Sequence, residues 1–208
     1  MHPFIRKFLT TAASVSAIAM FAGTALGQAT KVEVEKPVFD DLPSPDIQIS
    51  KSKSFKPKDW LEIETKLKVS MRPEPATKTC DKLTVKWYIA IKNPEKSGTF
   101  LLLSKEVTHV NIPLDEDVYA SIYLSPASIK RITGTDKGGK NAVEYVGFEV
   151  LVNGEKVAQE TNKGQPAWWN AASDKISRSE AVPLLTKSET PFSLFWWDRY
   201  AEVLAERR

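Results

Sequence analysis

The sequence holds very little from which a sulfur- or imidazole-based active site is built. Cys80 is its only cysteine. An internal disulfide is therefore excluded, and a lone thiol in an exported chain is either buried and inert or joined to another chain. Burial is the commoner fate of a free cysteine. Of the two histidines, His2 stands in the N-terminal leader, which leaves His109 as the one side chain of the remaining protein that titrates near neutrality unperturbed. It sits in an apparent strand, THVNIP, where a half-buried packing or hydrogen-bonding role is expected. One His and one Cys far apart do not close a zinc shell. No Gly-x-Ser-x-Gly elbow is present either.

A basic surplus is missing too. Residues 1–27 begin with Arg6 and Lys7 ahead of an Ala-rich, uncharged run over 8–26 that ends in small residues, the order of a secretory signal peptide. Cleavage is expected after Gly27, with Ala29 as the second choice. Losing Arg6 and Lys7 lowers the 29 basic residues to 27 against 26 acidic ones, a net charge of +1 in place of +3. Nucleic-acid binding rests on phosphate neutralisation, so no nucleic-acid partner is expected. No later segment is long and apolar enough to suggest a membrane span, so no stable anchor is expected after cleavage. Export to the periplasm, the outer membrane surface or the medium follows.

Other candidate sites are weak. The acidic run Asp115, Glu116, Asp117 lacks the spaced ligands and turn glycine of a calcium loop, and a solvated turn is expected there. The loop GTDKGGKN is rich in glycine and lysine but lacks the Gly-Lys-Ser/Thr ending of a phosphate-binding loop, so a flexible hairpin tip is expected. Nothing calls for a cofactor or a metal.

What is present is alternation. Residues 28–58 are polar and broken by Pro37, Pro43, Pro45 and Pro57, which reads as an extended arm or linker; two short apolar touches, Val38 with Phe39 and Ile47 with Ile49, interrupt it and suit a sheet edge. A folded domain is expected over 59–208. In WLEIETKLKVS the set Leu61, Ile63, Leu67 and Val69 alternates with charged residues, the period of a strand with one wet face. LTVKWYIAI alternates most cleanly, placing Leu83, Val85, Trp87, Ile89 and Ile91 on one side of a central strand. Residues 100–103 and 106–112 read as strand with a kink at Ser104 and Lys105, and 118–124 as another strand. Ser125 before Pro126, with Gly134 beyond, brackets a short helix. Asn153-Gly154 between two apolar runs is a strong hairpin signal, because both turn residues need positive φ. A strand over 182–185 is expected. From Thr190 and Pro191 onward the spacing of Phe192, Phe195, Trp196, Tyr200 and Val203 suits a helix, with a strand over 192–197 as the competitor.

Short strands with polar turns and no βαβ units point to a mostly β fold, an immunoglobulin-like antiparallel β-sandwich with short helices. Two tryptophan doublets then stand out: Trp168 with Trp169, and Trp196 with Trp197. Adjacent residues diverge on a strand and on a helix alike, so one ring of each doublet is expected to be exposed. These four indoles are the candidate interaction residues, as protein hot spots or as platforms for a sugar ring.

The leader, the segments DKLTVKWYIAI, SPASIKRI, YVGFEVLVNGEKVAQ, PAWW and FSLFWWDRYAEV together resemble a family of exported, pilus-like proteins encoded beside type IV pilus-like genes in mucin-degrading bacteria of the Verrucomicrobia group. The resemblance implies an immunoglobulin-like fold comparable to the globular part of archaeal pilus and flagellum subunits. It also implies a non-enzymatic role in a surface or envelope assembly, with self-association or contact to other envelope or pilus-like subunits. Cleavage of the leader departs from ordinary pilins, since it removes the apolar helix that forms a filament core. The alternative function is a carbohydrate-binding module that stacks mucin glycans on Trp168 or Trp169.

Overall fold

The computed structural model describes residues 29–46 and 56–205. The expected leader, Ile47 and Ile49 lie outside the described residues. Along the chain the strands are β1 (Ala29–Val34), β2 (Val38–Pro43), β3 (Asp59–Arg72), β4 (Thr79–Lys92), β5 (Phe100–Pro113), β6 (Asp117–Leu124), β7 (Val143–Val152), β8 (Glu155–Thr161), β9 (Ile176–Arg178), β10 (Leu185–Thr186) and β11 (Glu202–Val203), with helix α1 (Pro126–Thr133) between β6 and β7. They form a mostly β protein of two sheets, one curled into a half-barrel, with one short helix.

In the first sheet β3 pairs with β6, and β6 with β10, while β1 and β2 lie end to end along the other edge of β3. Residues 29–34 and 38–43 of the proline-broken segment are thus paired backbone. In the second sheet β4 is central, between β5 and β7; β8 follows β7, and β9 and β11 share the far edge of β5. Every pairing between strands is antiparallel except β5 with β9.

The side-chain period of two decides which residues meet between the sheets. Leu61, Ile63, Leu67 and Val69 of β3 are buried in the main core. Leu83, Val85, Trp87, Ile89 and Ile91 of β4 lose all contact with water. Each such aliphatic side chain contributes roughly 1.5–3 kcal/mol. Cys80 is buried beside them, and that burial pushes its thiol pKa up.

The β7–β8 turn is made by Asn153 at φ 52° and Gly154 at φ 83°, the positive pair that the Asn-Gly sequence is suited to. In α1 the Ser125 side chain accepts from the amide of Ser128, Pro126 opens the helix, and Gly134 closes it at φ 78°. Four local expectations fail. β5 is one strand without a kink at Ser104 and Lys105, held by unbroken pairing with β4 from Phe100 to Val110; the positive φ falls at Asn111 instead. The glycine-rich loop is no free hairpin tip: the amide of Lys140 donates to Asp41 Oδ1 at 3.0 Å and its ammonium to Asp40 at 3.1 Å, docking a 3₁₀ turn against β2. The strand expected over 182–185 shrinks to Leu185–Thr186, while Val182 and Leu184 are buried in the core. After Thr190 there is neither a long helix nor a strand over 192–197, but successive 3₁₀ turns at Pro191–Leu194 and Trp197–Arg199. Phe195 is extended between them and Trp196 takes φ 55°, which breaks the helical repeat.

Candidate interaction surface

The two tryptophan doublets have opposite fates. Trp168 and Trp169 are 9% and 3% exposed, so the expectation of one open ring fails for this pair. Both lie on the outer face of the second sheet, in a small apolar cluster with Ala90 and Leu102. A 3₁₀ turn at Trp168–Asn170, entered through Ala167 at φ 57°, lets both rings turn towards the sheet. There Gly147 leaves the hole that admits Trp169: a Cβ built on it stands 2.2 Å from the indole Cζ3. Trp169 stacks on Tyr88, the cross-strand neighbour of Gly147, at 4.8 Å and 6°. Trp168 donates from Nε1 to Thr161 Oγ1 at 3.1 Å and meets Trp169 edge-on.

Trp196 and Trp197 are 51% and 69% exposed. Leu194 and Leu204 join them as exposed large apolar side chains of the same C-terminal segment. The segment is nonetheless firmly placed. Phe192 is buried, stacked on Tyr123 of β6 at 5.5 Å and met edge-on by Trp60 at 5.8 Å. Trp196 stacks behind Phe192 at 6.5 Å, and Trp197 donates from its indole N–H to the carbonyl of Ser193 at 2.9 Å.

Beneath these rings the outer face of the first sheet supplies a polar clamp. Glu62 and Glu64 of β3 share a face by the strand period, and the C-terminal segment brings a phenol and a guanidinium to them. Tyr200 Oη stands 3.1 Å from Glu62 Oε1 and 2.8 Å from Glu64 Oε2, and its one proton serves either carboxylate. Tyr123 donates to Glu62 Oε1 at 2.6 Å. Arg199 donates to Glu64 Oε1 at 2.7 Å while its guanidinium lies 3.6 Å from the centre of the Tyr119 ring. Burial, with the adjacent Glu62, raises the pKa of both Tyr123 and Tyr200, which keeps the phenols protonated as donors. Lys187 donates to the carbonyl of Phe195 and lies over the Tyr200 ring; burial lowers its pKa, opposed by Glu62. The carboxylates are thus taken up in holding the segment down, and its indoles face outward.

The spacing of aromatic residues marked the segment, but Glu62, Glu64, Tyr119 and Tyr123 were missed. The signal for Glu62 and Glu64 was the charged half of the β3 alternation, which reads as an ordinary wet face until the C-terminus covers it; Tyr119 and Tyr123 lie on β6. His109 is fully enclosed: Nδ1 lies 3.2 Å from the carbonyl of Ala201, and burial pushes its pKa down to about 4. In the acidic run Asp115 accepts from Ser70 at 2.5 Å and pairs with Arg72 at 3.3 Å, joining the turn to β3.

A protein-family model matches residues 23–207 of the chain. Among solved structures the chain is similar to a crystal structure of a protein from Akkermansia muciniphila, at 40% sequence identity and a TM-score of 0.82, covering 87% of this chain and 96% of that one. No curated protein matches it.

Proposed function

The chain belongs to the family matched over residues 23–207, which it shares with the Akkermansia muciniphila protein, and on that premise we propose that it is a non-enzymatic structural or adaptor component of a type IV pilus-like or cell-envelope assembly. It acts through protein contacts. In this reading the two sheets are an immunoglobulin-like sandwich, residues 1–27 are a signal peptide removed on export, and the body works outside the cytoplasm.

The observation that carries the proposal is the outward pair Trp196 and Trp197, flanked by Leu194 and Leu204. Tryptophan is the residue most enriched at interface hot spots, and two exposed indoles side by side in the chain suit such a contact. The clamp on Glu62 and Glu64 supports the same reading. It pre-orders the rings, which lowers the conformational cost of docking. The purified chain is expected to co-sediment saturably with the envelope fraction of the bacterium that encodes it, and a Trp196→Ala/Trp197→Ala chain of unchanged circular dichroism is expected to stay in the supernatant. Equal sedimentation of the two chains would remove the proposal.

One feature favours a second reading, as a carbohydrate-binding module. Trp197 is a flat open ring beside Tyr200, Lys187 and Glu202, around a depression of about 240 Å³. Trp168 and Trp169, being buried, no longer serve as sugar platforms. Quenching of tryptophan fluorescence by mucin glycans, lost in Trp197→Ala, would select this reading over the first.

A further inference from the structure

The C-terminal segment ties the two sheets together. Tyr200 bridges Tyr119 of β6, and the amide of Ala201 donates to the carbonyl of Tyr119 at 2.9 Å, so residues 200 and 201 hold the first sheet. Directly afterwards β11 pairs with His109 and Val110 of β5, and the amide of Leu204 donates to the carbonyl of Thr108 at 2.8 Å, so residues 202–204 hold the second. Beneath this strap His109 is enclosed, 1% exposed. Its Nδ1 stands 3.2 Å from the carbonyl of Ala201. A carbonyl only accepts, so Nδ1 carries the proton of the neutral ring and Nε2 is bare. Nε2 is buried and has no hydrogen-bond partner among the described residues.

A second proton has one place to go, Nε2, where its N–H meets no acceptor and its charge no counter-charge. By register the ring's neighbours are Leu83 on β4 and Val203 on β11. Lys82 and Lys86 of β4 and Glu106 of β5 alternate onto the opposite face. The charged and titratable groups that remain are engaged elsewhere. Lys105 on the same strand is bound to Glu189 at 2.7 Å, Glu202 accepts from Asn111 at 3.0 Å, Arg199 and Tyr200 donate to Glu64, and Lys187 donates to the carbonyl of Phe195. From β6, Tyr119 lies under Arg199 and Tyr123 donates to Glu62; from β4, the Cys80 thiol is pushed up by burial and keeps its proton. What acts on the ring is burial, opposed by the backbone of Ala201 and Glu202, and its pKa falls to about 4.

Protonation therefore needs an opening, and the most weakly held cover gives way first. On one side β5 is paired with β4 over the length of both strands; on the other, β11 is two residues long. We propose that His109 is an acid-operated latch: a proton taken up at Nε2 releases residues 201–204 from both sheet edges. Ala201, Glu202 and Val203 wall the depression beside Trp197, so the release also takes apart one side of the indole face. A contact made through that face then loosens as the pH falls. That consequence rests on the proposed assembly role; the release does not. With the strap closed the ring has a pKa of about 4, and with it open the ordinary 6.5, so the open form binds the proton first and gains as the pH drops from 6.5 towards 4.

The test uses the purified full-length chain alone, so its failure leaves the assembly role untouched. Amide hydrogen exchange of Ala201 and Leu204, corrected for the intrinsic pH dependence of exchange, is expected to report an opening ratio about thirtyfold higher at pH 5 than at pH 7.5. A little urea is expected to leave that exchange unchanged, the mark of a local opening, while it speeds the exchange of Ile89 in the middle of β4. His109→Gln keeps a donor for the Ala201 carbonyl but takes no proton, and is expected to remove the rise. A staple makes the same check with His109 in place. Val110→Cys with Glu202→Cys, at facing positions of β5 and β11, joins the strap to the sheet when oxidised and is expected to abolish the rise until it is reduced. Three results would each overturn the proposal: an opening ratio that changes less than about threefold between the two pH values; a rise of the same size in His109→Gln or in the oxidised staple; or strap amides as sensitive to urea as Ile89, because they exchange only when the whole chain unfolds.

Discussion

Trp169 packs against Gly147 so closely that a methyl group on residue 147 would stand 2.2 Å from its Cζ3 and 2.7 Å from its Cε3. The ring is also stacked on Tyr88, the cross-strand neighbour of Gly147. Gly147→Ala therefore has to lift the indole or bend β7, and overpacking of this kind costs about 1–3 kcal/mol. Urea titration followed by tryptophan fluorescence is expected to show a lower midpoint with an unchanged slope.

This contact also explains what the sequence conveyed and what it withheld. Strands β3 and β4, the Asn153-Gly154 turn and the caps of α1 were legible because each depends on neighbours in the chain: a period of two, two positive φ angles, one side-chain acceptor. The burial of Trp169, and with it the packing of Trp168, depends on Gly147, 22 positions before Trp169 in the chain. Its one local sign was a glycine inside a β-rich run, which commonly marks a close approach by something else. The C-terminal segment hid for the opposite reason. Phe192, Phe195, Trp196, Tyr200 and Val203 fit a helical stripe, yet Phe192 is claimed by Tyr123 and Tyr200 by Glu62 and Glu64, and tertiary contacts outweigh the local preference.

His109 gives the protein a stability that depends on pH in one direction. Its folded pKa of about 4 lies below the ordinary 6.5 because burial disfavours the charged ring. The unfolded chain then binds the proton first. The contribution of the neutral ring is complete above pH 6.5, is lost as the pH falls towards 4, and stops changing below that, about 3 kcal/mol in all. Denaturation measured between pH 4 and 7 is expected to follow this slope, and His109→Gln to flatten it.

The clamp predicts an order of severity. Tyr200→Phe leaves Glu62 with Tyr123 and Glu64 with Arg199, so a loss of about 1 kcal/mol is expected, with faster hydrogen exchange confined to the C-terminal segment. The amide of Ala201, which donates to Tyr119 at 2.9 Å, is the reporter. Glu62→Ala takes away the acceptor of Tyr123, which is left buried with Ser121 alone, while Tyr200 keeps Glu64. Its cost is expected to be larger, roughly 2–3 kcal/mol, and to spread into β6.

The indole face tests the account most directly. With Trp197→p-benzoylphenylalanine in the living bacterium, ultraviolet light is expected to join the chain to a second polypeptide, giving a band heavier than 23.3 kDa that is absent when the same group replaces the exposed Lys96. A chain that stays uncoupled at 197, or couples equally well from 96, would contradict a role as an assembly component.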